Sequence, residues 1–186
     1  HHVEPGFPEI LSDNEIGRAF SMLWSTNMGT AIRRFNEALG REMTTDDIEA
    51  MNWAQAQFAI GVNAVDYSLA QASSVKFRRA IQSWWSQGWD LLLTPTLSAP
   101  PLLIGSLPNN PEHPMTPLMT GGAWVSFTSQ FNISGQPAIS LPLHRNADGL
   151  PIGMQLVAAY GREDVLIRVA SQLEQAAPWA HLTPNL

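Results

Sequence analysis

Apolar side chains in the first half of the chain recur at three- and four-residue steps, the spacing that gathers them on one face of an α-helix. Ile16, Phe20, Leu23, Trp24 and Met28 form the first such series. Ser12-Asp13-Asn14-Glu15 precedes it and offers a choice of N-caps, with Glu15 placed to close a capping box on Ser12. Asn27 to Thr30 is poor in helix formers, so the pattern leaves open whether this helix continues into Ile32, Phe35 and Leu39 before Gly40 ends it. Thr44-Thr45-Asp46-Asp47 supplies the next cap. From Ile48, the series Met51, Ala54, Phe58, Val62, Val65, Leu69, Ala72, Val75, Ile81, Trp84 and Trp85 predicts one long helix, or two joined near Gly61, ending by Gly88.

The period changes at Trp89. Trp89 to Thr96 is short and almost wholly apolar, which predicts a strand buried on both faces of a sheet. Pro100 to Pro117 holds six prolines and little periodicity, so an irregular surface loop is expected there. Trp124, Phe127 and Phe131 fall at i, i+3 and i+7 and predict a helix within Thr120 to Phe131, its start weakened by Gly121-Gly122. Pro137 to Leu143 alternates small and apolar residues between prolines, as a short, bounded strand does. Asn146-Ala147-Asp148-Gly149 has turn chemistry, and a second strand follows at Ile152 to Ala159. Gly161-Arg162-Glu163-Asp164 opens a last helix with acids in its first turn; Val165, Leu166, Val169 and Leu173 mark its buried face and Pro178 its end. Arg162 is expected to add a salt bridge to the sheet. The pattern divides the chain into a helical stretch, 12–87, and a stretch of strands and helices, 88–186. It predicts an α/β fold with a mixed β-sheet flanked by helices.

Composition narrows the function. With 45% apolar residues in 186, the chain can bury a core and is one domain or part of one. A net charge of −6 with a single lysine, Lys76, gives no basic stripe to track phosphates, which argues against nucleic acid. No apolar run approaches the roughly 20 residues that span a bilayer, which argues against a membrane. The absence of cysteine removes disulfides, thiolate nucleophiles and Cys-ligated metals, and a cytoplasmic location fits. His1, His2, His113, His144 and His181 form no i, i+4 pair and no cluster with acids, so neither a metal nor another cofactor is expected.

Three stretches carry more specific information: W-W-x-x-G-W-D-L-L-L-T-P-T from Trp84, F-N-I-S-G-Q-P-A-I-S-L-P from Phe131, and P-I-G-M-Q-L-V-A-A-Y-G-R-E-D from Pro151. Their order and spacing resemble the C-terminal part of the amidase signature family of serine amide hydrolases. Within that family they are most similar to amidases of 6-aminohexanoate (nylon) oligomers. The resemblance covers nearly the whole chain, most strongly Trp84 to Trp179. It implies that residues 1–186 are the C-terminal portion of a single amidase domain. His1-His2-Val3-Glu4-Pro5-Gly6-Phe7-Pro8 is similar to a stretch the family carries mid-chain, although two leading histidines also resemble a tag remnant.

The family's chemistry uses a serine nucleophile, a second serine in a cis peptide link and a lysine base, on a Gly-Gly-Ser-Ser-Gly-Gly loop. No Gly-Ser-Ser-Gly occurs in this sequence, and Lys76 does not stand in the family's lysine context. The resemblance therefore implies that the catalytic residues lie on an N-terminal part of the same enzyme, that this chain alone is inactive, and that no catalytic role transfers to it. What it implies for this chain is a wall of the substrate pocket: Trp24 on the first helix, and Trp124, Val125 and Phe127 ahead of the two strands. Members that select glutamine carry an acid near Val125; Ala123-Trp124-Val125-Ser126 has none, which favours an apolar, aromatic or linear alkyl amide over a free α-amino acid.

Two other readings stay open. Ser73-Ser74-Val75-Lys76 matches the serine-lysine S-x-x-K pattern and would place Ser73 and Lys76 one turn apart on a helix, though the companion K-T-G is missing. Alternatively, the chain is a non-catalytic interaction module on the same scaffold, its open strand edges paired with a partner or in a homodimer. Gln155 and Asn132 are expected to bond backbone or turn groups, Gly135 to allow a close backbone approach, and Ser140 to lie along a packed strand.

Overall fold

A computed structural model describes residues 1–13 and 15–183. Ser12 closes a short 3-10 helix, Glu9–Ser12, and the capping role expected of it passes to Asp13, whose Oδ1 accepts the Glu15 amide N–H at 2.8 Å. Asn14, the other cap candidate, lies outside the described residues. The first helix, α1, runs unbroken over Glu15–Leu39 and ends at Gly40, whose φ of +66° suits glycine. The helix-poor stretch does not break it. Gly29 is a packing contact with the next helix, α2 (Ala50–Ile60): a Cβ on Gly29 would stand 3.1 Å from that of Ala59.

Thr44-Thr45-Asp46-Asp47, expected to cap the next helix, forms the preceding turn instead, closed by Asp47. Asp47 takes both guanidinium nitrogens of Arg41, at 2.8 and 2.7 Å, and the amide N–H of Thr44 at 2.9 Å. The cap of α2 comes from the proline-rich loop, where Asn109 Oδ1 accepts the Ala50 N–H at 2.9 Å. The bonds from Arg41, and then from the Thr44 amide, hold the Asp47 carboxyl well below the usual carboxylate range. A carboxyl depressed by folding stabilises the fold above its unfolded pKa, about 4, and loses that contribution as pH falls through the folded value. Asp47→Asn is therefore expected to lower the urea midpoint at pH 7 and to lower it by less at about pH 2. An equal loss at both pH values would show that the charge is not the cause.

After Gly61 the chain begins a separate helix, α3 (Ala64–Trp85), so the long period is two helices. Asn63 sets the break: its Oδ1 accepts the N–H groups of Val65 and Asp66, and its Nδ2 donates to Asp66 Oδ2 at 2.7 Å.

The chain forms two compact units. One comprises residues 12–77 and 102–123, the other 1–11, 78–101 and 124–186. The first holds α1, α2, most of α3 and a short helix, α4 (Thr116–Gly122). The second holds the sheet.

Three strands, β1 (Leu91–Pro95), β2 (Ala138–Arg145) and β3 (Pro151–Ala158), pair in the order β1-β3-β2. Both pairings are antiparallel, so the sheet in this span is antiparallel and not mixed. Asn146 closes the β2–β3 turn, its Oδ1 accepting the N–H of Asp148 and Leu150, and Gly149 adopts φ +79°. The pairing shifts between Leu141 and His144, where β2 gains a residue at Pro142-Leu143; proline cannot donate to the ladder, and a bulge accommodates it. One face of the sheet presents Leu141, Leu156 and Ala158 to the last helix, α6 (Glu163–Ala176), through Leu166, with Val169 and Leu173 alongside. Among the described residues β1 pairs with β3 on one side, α6 packs on β3 and β2, and Leu93 is 47% exposed, so the burial of β1 on both faces is not seen within this span. Arg162 forms its ion pair with Asp164, two residues away at 2.8 Å, and not with the sheet. No helix among the described residues is long and apolar enough to cross a membrane.

Candidate functional site

The helix expected over Thr120 to Phe131 is two short helices, α4 and α5 (Ser129–Ser134), with turns over 123–128. The hydrogen bonds explain the interruption. A continuous helix would direct each carbonyl to the N–H four residues on. Here the Trp124 carbonyl accepts the Ser98 N–H at 3.1 Å, and the Val125 carbonyl accepts the Thr128 N–H at 3.4 Å. The Ser126 carbonyl accepts Gln130 Nε2 at 2.6 Å, and the Phe127 carbonyl accepts Gln155 Nε2 at 2.8 Å. All four carbonyls from Trp124 to Phe127 thus have partners, two of them glutamine side chains. The Trp124 indole adds a fifth tie, donating from Nε1 to the Pro100 carbonyl at 2.9 Å.

These ties hold Trp124, Val125 and Phe127 in one fixed turn. Trp124 and Phe127 are half-buried, and Val125 is 43% exposed. Their side chains offer apolar surface with no acid or base, so what they can do is bind. Trp24 belongs to the helical unit, half-buried on α1 with its ring 5.8 Å from that of Phe20.

The part of the sheet face around Gln155 is polar. Thr94 and Ser140 stand opposite Gln155 on either side, and Gln155 Nε2 also donates to Thr94 Oγ1 at 3.0 Å. Two residues along β3, Gly153 lies beneath a hydroxyl pair, Thr96 Oγ1 and Ser140 Oγ, 2.6 Å apart. A shallow hollow beside it is lined by Leu97, Ala99, Pro101, Pro151, Ile152 and Gly153. Ser140 is exposed, paired with a hydroxyl and not packed along its strand as expected. Gln155 does bond a backbone group, as expected. Gly135 ends α5 with φ +74°, so its need is primarily conformational, although a Cβ there would also touch Tyr160 at 3.4 Å. Ser134 Oγ bonds Gln136 Oε1 at 2.8 Å, a structural contact. Ser73 and Lys76 are both exposed on α3, without the enclosed setting a nucleophile requires. No group of three or more His, Cys, Asp or Glu able to hold a metal occurs among the described residues.

Comparison with known proteins decides the family. Residues 15–167 match the amidase family. The chain belongs to the amidase signature family. It is 38% identical, over its full length, to a 6-aminohexanoate-cyclic-dimer hydrolase of Pseudomonas sp. (strain NK87), and 37% identical to one of Paenarthrobacter ureafaciens. In each case it spans 39% of the relative's length. A solved structure of a 6-aminohexanoate cyclic dimer hydrolase complexed with substrate superposes with a TM-score of 0.88 at 37% identity, covering 96% of this chain and 38% of that one. A bacterial aryl acylamidase superposes with a TM-score of 0.71 at 22% identity, which supports the fold alone. The α/β elements described above are therefore a portion of the amidase signature fold.

The motifs around Trp84, Phe131 and Pro151 identified the family from sequence. Sequence reasoning did not anticipate how the turn is held. The role of Gln155 as its tie, the Ser98 and Pro100 contacts and the hydroxyl pair over Gly153 all join residues distant in sequence, and no local spacing marks them.

Proposed function

We propose that residues 1–186 are the C-terminal portion of a single serine amidase domain that hydrolyses a carboxamide C–N bond through an acyl-serine intermediate. Its nucleophile, bridging serine and lysine base lie on the N-terminal part of the same enzyme. Trp124, Val125 and Phe127 in the sheet unit, and separately Trp24 in the helical unit, are substrate-facing positions, and their side chains suit an apolar, aromatic or linear alkyl amide such as a 6-aminohexanoate oligomer. The observation that carries this reading is the 38% identity to a cyclic-dimer hydrolase across the whole chain. It is supported by a firmly held apolar turn at Trp124 to Phe127 that offers binding surface and no proton-transfer group. Large apolar side chains left exposed in the helical unit, among them Phe58, Ile60, Val65 and Leu69, are consistent with a scaffold that packs against further chain or a second copy.

The test compares the 186-residue polypeptide with the complete protein on alkyl amides, aryl amides and the 6-aminohexanoate cyclic dimer. Turnover is expected from the complete protein only. Turnover by the short polypeptide that is abolished by Ser73→Ala or Lys76→Ala would replace this reading with the serine-lysine one. A complete protein without turnover on any amide, yet forming a stable complex with another protein, would favour the interaction module.

A further inference from the structure

We propose that Gln155 is a positioning residue that sets acyl-chain selectivity by fixing the Trp124–Phe127 turn; this role rests on the amidase reading above. Gln155 sits on the central strand, with both neighbours in register and only 4% of its surface exposed. A primary amide in such a place costs stability unless its polar atoms are paired. Its Nε2 group has two donors, and the two acceptors it meets belong to different parts of the unit: Thr94 Oγ1 on β1 and the Phe127 carbonyl of the turn. The first bond orients the amide plane, and the second secures the turn to the sheet. Sheet pairing holds the Gln155 backbone fixed, so the position of Phe127 and its neighbours is referenced to the most rigid element available. A site held by a rigid element keeps its geometry within the narrow tolerance that selectivity demands. The Thr128 N–H on the Val125 carbonyl, at 3.4 Å, and Gln130 Nε2 on the Ser126 carbonyl, at 2.6 Å, both come from residues that follow the turn directly, whereas the Gln155 bond joins the Phe127 carbonyl to the sheet.

The experiment uses the complete protein with Gln155→Met, which keeps the length and removes the donor, and Thr94→Val, which removes only the group orienting it. Two readouts are compared with wild type: amide hydrogen exchange over residues 124–128, and kcat and KM for hexanamide and acetamide. For Gln155→Met, exchange over 124–128 is expected to rise and KM for hexanamide to increase about tenfold, with kcat and the acetamide constants changed less than about threefold. Thr94→Val is expected to move the same quantities in the same direction by about threefold. Should Gln155→Met not fold, Thr94→Val alone decides, and an unchanged hexanamide-to-acetamide ratio overturns the proposal. Unchanged exchange, or a uniform fall in kcat/KM for both amides, overturns it as well. If the wild-type protein hydrolyses no amide, the amidase reading and the selectivity role fail together, while the exchange comparison still decides whether Gln155 secures the turn.

Discussion

Leu156→Ala is expected to lower the unfolding free energy by about 2–5 kcal/mol, read as a shift in the urea midpoint at constant slope. Leu156 lies at the centre of β3, is 6% exposed, and faces Leu141, Ala158 and Leu166 in the cluster beneath α6. Its register partners are Leu93 on β1 and Ile139 on β2, so truncation leaves a void flanked by sheet on both sides and by a helix above. Backbone pairing prevents the strands from closing that void, which is why the upper part of the range is the reasonable expectation. Leu93→Ala is the informative control. It removes the same atoms one strand away, but Leu93 is 47% exposed on an edge strand, and its loss should cost about 1 kcal/mol or less. Equal losses at the two positions would mean that β1 is covered on that face in the protein as tested, as it would be if further chain packs there.

Gly153→Ala is expected to destabilise the fold by about 1–3 kcal/mol, and the cost should fall when Ser140→Gly is added. A Cβ at Gly153 would lie 2.7 Å from Ser140 Oγ, 2.8 Å from Thr96 Oγ1 and 3.2 Å from Thr96 Cβ. The hydroxyls can rotate away only by giving up their 2.6 Å hydrogen bond, and the Thr96 Cβ moves only with its backbone. Thr96 is itself tied there, its N–H donating to the Gly153 carbonyl at 2.9 Å. A double-mutant cycle with Ser140→Gly isolates the clash. Additive losses would show that Ser140 is not what Gly153 makes room for, whereas a coupling that removes part of the single cost, the rest remaining with Thr96, would support this close packing.

How far the site was legible follows from where its determinants lie. The three family motifs are local strings, so the amidase assignment and the α/β class could be read directly from residue order. Helix ends were partly legible for the same reason: Gly40 and the joint near Gly61 are marked by glycine, whereas Asn63, which caps α3, was not read from the sequence. The cap of α2 was not, because its acceptor comes from Asn109 in the proline-rich loop. The turn at 123–128 was not either. Trp124, Phe127 and Phe131 have helical spacing, and the hydrogen bonds from Ser98, to Pro100 and from Gln155, all distant in sequence, are among those that divert the chain from that helix.

The sequence by itself determined the family, the three strands with the helix that follows them, and the absence of the serine-lysine loop from this span, because each is written in consecutive residues or in their period. Tertiary structure alone decided that α1 passes through Gly29, that the helix expected over Thr120 to Phe131 divides at 123–128, and that Gln155 holds the Phe127 carbonyl. The physical reason is common to all three. Helix propensity at one glycine is worth about 1 kcal/mol, and a helical period fixes only which side chains share a face. A close contact with Ala59, the Ser98 N–H on the Trp124 carbonyl or a buried amide seeking acceptors each outweighs that local preference, and each depends on groups far away along the chain.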